Sequence, residues 1–405
     1  MNRKHIFVCG AKGIGQYGGF ETFTDKLTKY HQNHQELCYH VACKANGSGA
    51  MDETLLQGAV PLPAEDGTEQ FLYHSAHCFK IRVPEIGPAQ AVFYDVAAVR
   101  FCIRYCRKHG INNPVIYVLA CRLGPFIGML KRSIKAIGGE LVVNPDGHEW
   151  QRGKWSLPIK CYWKASERKM IAAADHVVCD SRIIEDYVRN TYKKTALSCI
   201  AYGAETTPSV LADDDPAFHG WMSEFGLEKD GYYLVVCRFE PENSFREILS
   251  AFMKSHTDRK LALITTENPK LFRKLERELH FRKDSRICFT GTVYDQELLK
   301  KIRENAFAYI HGHTVGGTNP TLLEAMAQTK VNLLRDVPFN REVGGDAALY
   351  WKETDLTELL EKTDSMTTEE RVAMEGRAKE RIRSAYSWKH IAEQYLKLWR
   401  TGNEE

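Results

Sequence analysis

Short apolar runs alternate with longer amphipathic, charged stretches along nearly the whole chain. In the first half, apolar runs at 5–10 (HIFVCG), 37–43, 79–83, 115–119, 140–143, 176–179 and 197–201 predict strands. Helical periodicity falls between them, at about 20–29, from about 88 to 108, at 124–137 and at about 159–174. Residues 44–70 are polar and rich in Gly, Pro and acids, which predicts a loop. Residues 204–220 are polar and acidic with two prolines, which predicts a linker. The alternation then restarts. Strands are expected at 232–237, 261–265, 287–290, 306–310, 331–334 and 347–351. Helices are expected at 245–253, 269–280, 295–305, from 320, within 355–385 and at 388–400. Fully apolar strands alternating with helices mark parallel sheets covered on both faces. The α/β pattern therefore predicts two doubly wound Rossmann-like domains facing a central cleft. The expected boundaries are 1–205, 206–384 and a C-terminal helix, 385–405, that packs back on the first domain.

At 405 residues the chain exceeds a usual single domain, which agrees with two. A hydrophobic share of 43% and a charged share of 26% are ordinary for a globular protein. The net charge of +3 says little, but its distribution says more. Residues 100–169 hold 14 Lys/Arg against 4 Asp/Glu, a basic face that implies an anionic partner. Helix 124–137 sets Phe126, Ile127, Leu130, Ile134 and Ile137 against Lys131, Arg132 and Lys135. Such a helix either packs on the sheet or lies on an anionic membrane surface. The twelve cysteines show no CxxC pair. Cys102 and Cys106, one turn apart with His109 near, read as a buried helix face because no second ligand pair accompanies them. Cysteines inside apolar runs point to a reducing cytosol. The chain enters a strand within its first few residues, which argues against a signal peptide, and no apolar run approaches the ~20 residues of a membrane span.

Three stretches carry the candidate chemistry. Residues 311–327 (HGHTVGGTNPTLLEAMA) read as strand end, small-residue loop and helix, with Pro320 at the first helical position and Glu324 one turn in. Free backbone N–H groups and the positive end of a helix dipole suit a phosphate there, and Glu324 suits a neighbouring hydroxyl. The AKGIGQYGGFETF stretch follows the first strand, with Gly13, Gly15, Gly18 and Gly19. It lets a ligand approach the backbone, but its spacing is not that of a dinucleotide fingerprint. NPDGHEWQRGKW places Asp146, His148, Glu149 and Arg152 in a loop after a strand, where ligands bind in α/β folds. Arg238, directly after a strand, can face a phosphate or pair with Glu240 or Glu242.

Taken together, AKGIGQYGGFETF, VPEIGPAQAVFYDVAA, NPDGHEWQRGKW, ADHVVCDS, YGAE, CRFEPENS, FTGTVYD and GGTNPTLLEAMA resemble a retaining GT-B glycosyltransferase of family 4 over nearly the whole chain. Within it, the chain is similar to bacterial rhamnosyltransferases of capsule and cell-wall polysaccharide synthesis with a DUF1972-type N-terminal domain. The resemblance implies that Gly13 to Gly19 border donor phosphate and acceptor, that Arg238 contacts the pyrophosphate, and that Glu324 holds the ribose. The family's usual Lys falls on Asn243, and its first conserved-type Glu falls on Gly316. Backbone amides of Gly317, Thr318 and Asn319 would then take part of that carboxylate's place. The family's N-domain His falls on Asp146, implied as the catalytic group. His148, Arg152, Lys131, Arg132 and Lys135 are assigned to an acceptor or membrane face.

The implied reaction moves L-rhamnose from dTDP-β-L-rhamnose, with retention, to the 4-OH of a polyprenyl-pyrophosphate-linked glucose or GlcNAc. No metal or other cofactor is expected, and no nucleic acid. The implied location is cytoplasmic, peripheral on the inner face of the plasma membrane. A UDP-hexose or UDP-HexNAc donor is the alternative within the family. A non-hydrolysing sugar-nucleotide epimerase and a non-catalytic sugar-nucleotide-binding subunit are the alternatives outside it.

Overall fold

The computed structural model describes residues 3–16 and 18–401; Tyr17 of the glycine-rich stretch lies outside the described residues. The chain divides into two compact units. Unit 1 comprises Met1–Trp150, Ser156–Ala201 and Trp388–Glu405; unit 2 comprises Gln151–Trp155 and Tyr202–Ser387.

Unit 1 runs β1 (Lys4–Cys9), α1 (Gly19–His31), β2 (Leu37–Lys44), β3 (Val60–Glu65), β4 (Thr68–Tyr73) and β5 (Ala76–Ile81). It continues α2 (Gln90–Lys108), β6 (Val115–Leu119), α3 (Ile127–Lys135), β7 (Glu140–Asn144), α4 (Leu157–Ala173), β8 (His176–Cys179), α5 (Arg182–Tyr192) and β9 (Leu197–Cys199). Its nine strands lie in the order β3-β4-β5-β2-β1-β6-β7-β8-β9. The central strands are parallel and largely buried, β6 wholly so, which is why they read as apolar runs.

The loop expected over 44–70 is corrected in its second half. Residues 60–73 form an antiparallel hairpin that extends the sheet. Asp66 and Gly67 turn it with φ of 48° and 75°, the positive pair that a two-residue hairpin turn requires. Pro61 and Pro63 are tolerated because β3 is an edge strand.

Unit 2 runs α6 (Pro216–Phe225), β10 (Tyr232–Val236), α7 (Phe245–Lys254), β11 (Lys260–Ile264), α8 (Pro269–Leu279), β12 (Ile287–Gly291), α9 (Gln296–Glu304) and β13 (Ala308–His311). It continues α10 (Pro320–Gln328), β14 (Asn332–Arg335), α11 (Pro338–Gly344), β15 (Leu349–Trp351), α12 (Leu356–Asp364) and α13 (Thr368–Ala385). The expected linker is shorter than 204–220, because α6 begins inside it; the Asp215 side chain accepts from Ala217 N–H at 2.9 Å and caps the helix. The six strands are parallel in the order β12-β11-β10-β13-β14-β15.

The last helix, α14 (Trp388–Thr401), belongs to unit 1. Ile391, Tyr395 and Trp399 recur every four residues and are buried, which gives it one apolar stripe. Tyr395 meets the Tyr117 hydroxyl at 2.8 Å, and Trp399 Nε1 donates to Tyr39 at 2.8 Å. His31 of α1 reaches the Ala392 carbonyl at 2.9 Å and the Tyr39 hydroxyl at 2.8 Å.

Helix α3 settles one of its two readings. Ile127, Leu130 and Ile134 are buried in the core of unit 1, with Phe126 and Ile137 packed beside them. The apolar face is therefore covered by protein and is not offered to a bilayer. Lys131 pairs with Asp175, while Arg132 and Lys135 remain exposed.

Candidate functional site

In a doubly wound sheet, the order of strands reverses at one point, and the loops leaving the carboxyl ends of the two strands there diverge to leave a crevice. In unit 2 that point lies between β10 and β13. The loop after β10 carries Arg238 to Ser244, and the loop after β13 carries Gly312 to Asn319. The two loops are laced together. Ser244 Oγ donates to the Gly312 carbonyl at 2.7 Å, and Thr314 N–H donates to the Glu242 carbonyl at 2.9 Å. Asn243 Nδ2 donates to the Arg238 carbonyl at 2.7 Å, and its Oδ1 lies 2.8 Å from His313 Nδ1.

Asn243 therefore spends both ends of its amide inside the protein. It fixes the turn that presents Arg238, while the second N–H of its amide makes no hydrogen bond among the described residues. Arg238 is exposed, and among the described residues its guanidinium makes no hydrogen bond or ion pair. Neither Glu240 nor Glu242 takes it up. Glu242, almost fully buried, lies 3.6 Å from Arg152 instead. Arg152, assigned to an acceptor or membrane face, has a side chain that is 12% exposed and belongs to unit 2.

Gly316 has φ 133°, a conformation that glycine accepts and larger residues resist. A Cβ there would stand 3.5 Å from His313 Nε2. His313 is buried, and burial first, then His311, Arg152 and Arg238, drives its pKa well below the ordinary value, so the ring is neutral. Asn319 caps α10, its Oδ1 accepting from Thr321 N–H at 3.0 Å. The helix end is thus closed by its own side chain, which differs from the open terminus expected. The N–H groups of Gly316, Gly317 and Asn319 carry no hydrogen bond among the described residues. Thr318, between them, is buried.

Glu324 has a second commitment that sequence reasoning missed. Its Oε2 accepts from Arg303 Nη2 at 2.6 Å. Arg303 is 2% exposed and comes from α9, so Glu324 neutralises a buried cation. Its other oxygen makes no hydrogen bond among the described residues.

In unit 1 the order reverses between β1 and β6. The glycine-rich loop leaves β1. The side chains of Met51, Leu56 and Glu21 fill the space that a Cβ at Gly13, Gly15 or Gly18 would need. Glu21 accepts from Lys12 N–H at 2.8 Å, and Gly19 opens α1, whose N-terminus has no side-chain cap. The compact loop thus brings uncapped N–H groups to the switch point.

Arg122 leaves β6 and was not singled out from the sequence. Its Nε donates to Asp95 at 2.6 Å and its Nη2 to the Gly10 carbonyl at 2.5 Å. Asp95 is wholly buried; burial raises its pKa, while Arg122 opposes that. The signal for Asp95 was an acid inside an otherwise apolar helix, YDVAA. Asp146, after β7, has φ 62° and is held by its N–H to Asn144 Oδ1 at 2.8 Å. Aspartate is one of the few side chains tolerating that region. Asp146 lies in the field of Arg122. His148 packs edge-on against Tyr187 at 4.4 Å and Trp150 at 5.8 Å, and burial lowers its pKa.

Solved structures with the same architecture include a sucrose-phosphate synthase from Thermosynechococcus elongatus, with TM-score 0.74 at 14% identity over 98% of this chain and 99% of that one. A glycosyltransferase from Rickettsia africae gives TM-score 0.72 at 12% identity over 100% of both chains. HepE from Anabaena, solved with UDP, gives 0.68 at 13% identity over 98% of this chain and 100% of that one. At these identities the likeness shows the fold, which is GT-B. No curated protein sequence matches the chain. Residues 3–205 match the family described as a domain of unknown function, DUF1972. That match spans half of the chain, which therefore belongs to the DUF1972 family.

Proposed function

We propose that this protein is a glycosyltransferase that moves L-rhamnose from dTDP-β-L-rhamnose, with retention, to the 4-OH of a polyprenyl-pyrophosphate-linked glucose or GlcNAc. One observation carries the reading. An unpaired, exposed Arg238 stands at the switch point of unit 2 with three unbonded N–H groups, those of Gly316, Gly317 and Asn319. Donors fixed in advance on a departing diphosphate stabilise the charge that develops as its bond to the sugar carbon breaks. They supply that charge stabilisation without requiring a metal. The acceptor hydroxyl attacks the same face of the carbon that the diphosphate leaves, and a diphosphate oxygen takes the hydroxyl's proton. Asp146 orients the acceptor or steadies the cationic sugar. The free oxygen of Glu324 holds the ribose.

Gly316 supports a deoxy sugar, because the residue that would bond further sugar hydroxyls is absent. HepE is described with UDP and with UDP and glucose, which supports a UDP-hexose donor as the second reading. Exposed Arg132 and Lys135 support a peripheral position on the anionic inner leaflet of the plasma membrane. No helix among the described residues is long and apolar enough to cross a membrane.

The test is a donor panel of dTDP-rhamnose, UDP-glucose, UDP-GlcNAc, UDP-galactose and GDP-mannose, each with short-chain lipid-PP-glucose and lipid-PP-GlcNAc, with and without EDTA. A product heavier by one deoxyhexose, insensitive to EDTA, is expected. In Asp146→Asn, transfer is lost while donor binding is kept. A hexose gain replaces the donor, and conversion of a free nucleotide-sugar without acceptor replaces transfer by epimerisation.

A further inference from the structure

The amino ends of the unit 1 strands, opposite to the ligand-binding ends, hold a cluster that the reaction does not use. The parallel register of β1 on β2 sets His5 beside Cys38, and that of β2 on β5 sets His40 beside His77. Neighbours in a parallel ladder share a face, and so do residues two apart on a strand. His5, Cys38, His40 and His77 therefore project from one face of the sheet. With Arg3, Leu62, Tyr105 and His109 they line a cavity of about 550 Å³.

We propose that His5, Cys38 and His40 form a site for a thiophilic divalent cation, with Zn²⁺ as the fitting ion. Their ligand atoms all lie within 4.8 Å of one another. Zn²⁺ binds imidazole nitrogen at about 2.0–2.1 Å and thiolate at about 2.3 Å, so a tetrahedral site needs N–S separations of about 3.5 Å and N–N separations of about 3.3 Å. Cys38 Sγ lies 3.5 Å from His40 Nε2, and His5 Nδ1 lies 2.9 Å from the same nitrogen. The Cys38–His40 pair already has the tetrahedral spacing, and the two imidazoles must part by a few tenths of an ångström.

The surroundings prepare His40 as a ligand. His77 bonds Gln70 Oε1 through Nε2, which makes that nitrogen the donor and leaves its Nδ1 as an acceptor. His40 Nδ1 lies 3.3 Å from that acceptor and so carries the proton. The lone pair of His40 Nε2 is then directed at Cys38 and His5. A ligating imidazole that donates its other N–H to a fixed partner is the arrangement that orients a metal ligand. Phe7 stacks on His40 at 4.2 Å and 9°, which fixes the ring plane.

Binding displaces the thiol proton to solvent, with no change of oxidation state. Three protein ligands leave a fourth position to water from the cavity, so the ion exchanges instead of being sealed in.

The test uses the full chain, reduced and stripped by chelator, titrated with Zn²⁺ against a chromophoric indicator and, separately, with Co²⁺. One Zn²⁺ per chain is expected, together with a thiolate-to-cobalt charge-transfer band. Cys38→Ser abolishes the band and weakens Zn²⁺ by at least about 100-fold, and the positioning variant His77→Gln weakens it by about 10-fold. His5→Gln, at a half-buried position, provides a second ligand variant if Cys38→Ser misfolds, with circular dichroism confirming the fold. Binding that is absent, or equally tight in Cys38→Ser and His5→Gln, overturns the proposal. None of these readouts depends on sugar transfer.

Discussion

Glu324 pairs with Arg303 in this structure and holds the ribose in the proposed reaction, and replacing it separates the two roles. Its carboxylate neutralises Arg303, whose side chain is 2% exposed, while Glu324 itself is 30% exposed. Deleting one partner of a fully buried ion pair costs about 3–5 kcal/mol, and an exposed pair contributes about 0–1 kcal/mol. One partner is buried and the other part-exposed, which places Glu324→Ala between these limits, at about 2–3 kcal/mol. For a unit of this size that is a fall of about 5–10 °C in the melting temperature. The assay is thermal and urea unfolding of the protein without nucleotide. Adding Arg303→Met to Glu324→Ala removes the stranded cation and should recover at least about 1 kcal/mol. If Glu324 only met a ribose, the nucleotide-free protein would lose no more than the ~0.5 kcal/mol of an ordinary surface substitution. That outcome would refute the coupling of ligand site and α9.

Two further outcomes follow from named contacts. Arg238→Ala leaves folding intact, because the Arg238 guanidinium has no partner among the described residues, and weakens dTDP by calorimetry about 10-fold or more, the loss of one charge-assisted bond of ~1.5–3 kcal/mol; unchanged affinity removes Arg238 from the phosphate site. His31 is held neutral by burial, its pKa lowered from 6.5 to about 4. The unfolded chain then takes up a proton that the folded one refuses, so this contribution is complete above pH 6.5 and is lost as pH falls toward 4. Between pH 7 and pH 5 the loss is about 2 kcal/mol, and the stability curve of His31→Gln should be flatter by that amount; parallel curves would discount the burial of this imidazole.

What could be read from the residues was whatever the chain states locally. The strand cores, Pro320 at the start of α10 and the position of Arg238 after β10 are local facts of composition and order. The 60–73 hairpin was written as Asp66–Gly67 but masked by the polar, proline-containing run around it. The partners could not be read, because they come from elsewhere in the chain. Arg303 lies on a different helix from Glu324, and Arg122 meets an acid from α2 and a carbonyl after β1. The His5, Cys38, His40 and His77 cluster needs the register of three strands, which no spacing along the chain encodes.

The return of α14 to unit 1 sets an order of events during synthesis. Tyr39 and His31 are made 360 and 361 residues before their partners Trp399 and Ala392. Domains usually fold as they emerge, the N-terminal one first. Here the first unit must wait for the whole of the second before its last buried side chains find cover. A fragment cut after the DUF1972 segment, at residue 205, would expose the Tyr39, Tyr117 and His31 surface that this helix closes. The piece of sequence that defines the family is therefore shorter than the piece that folds.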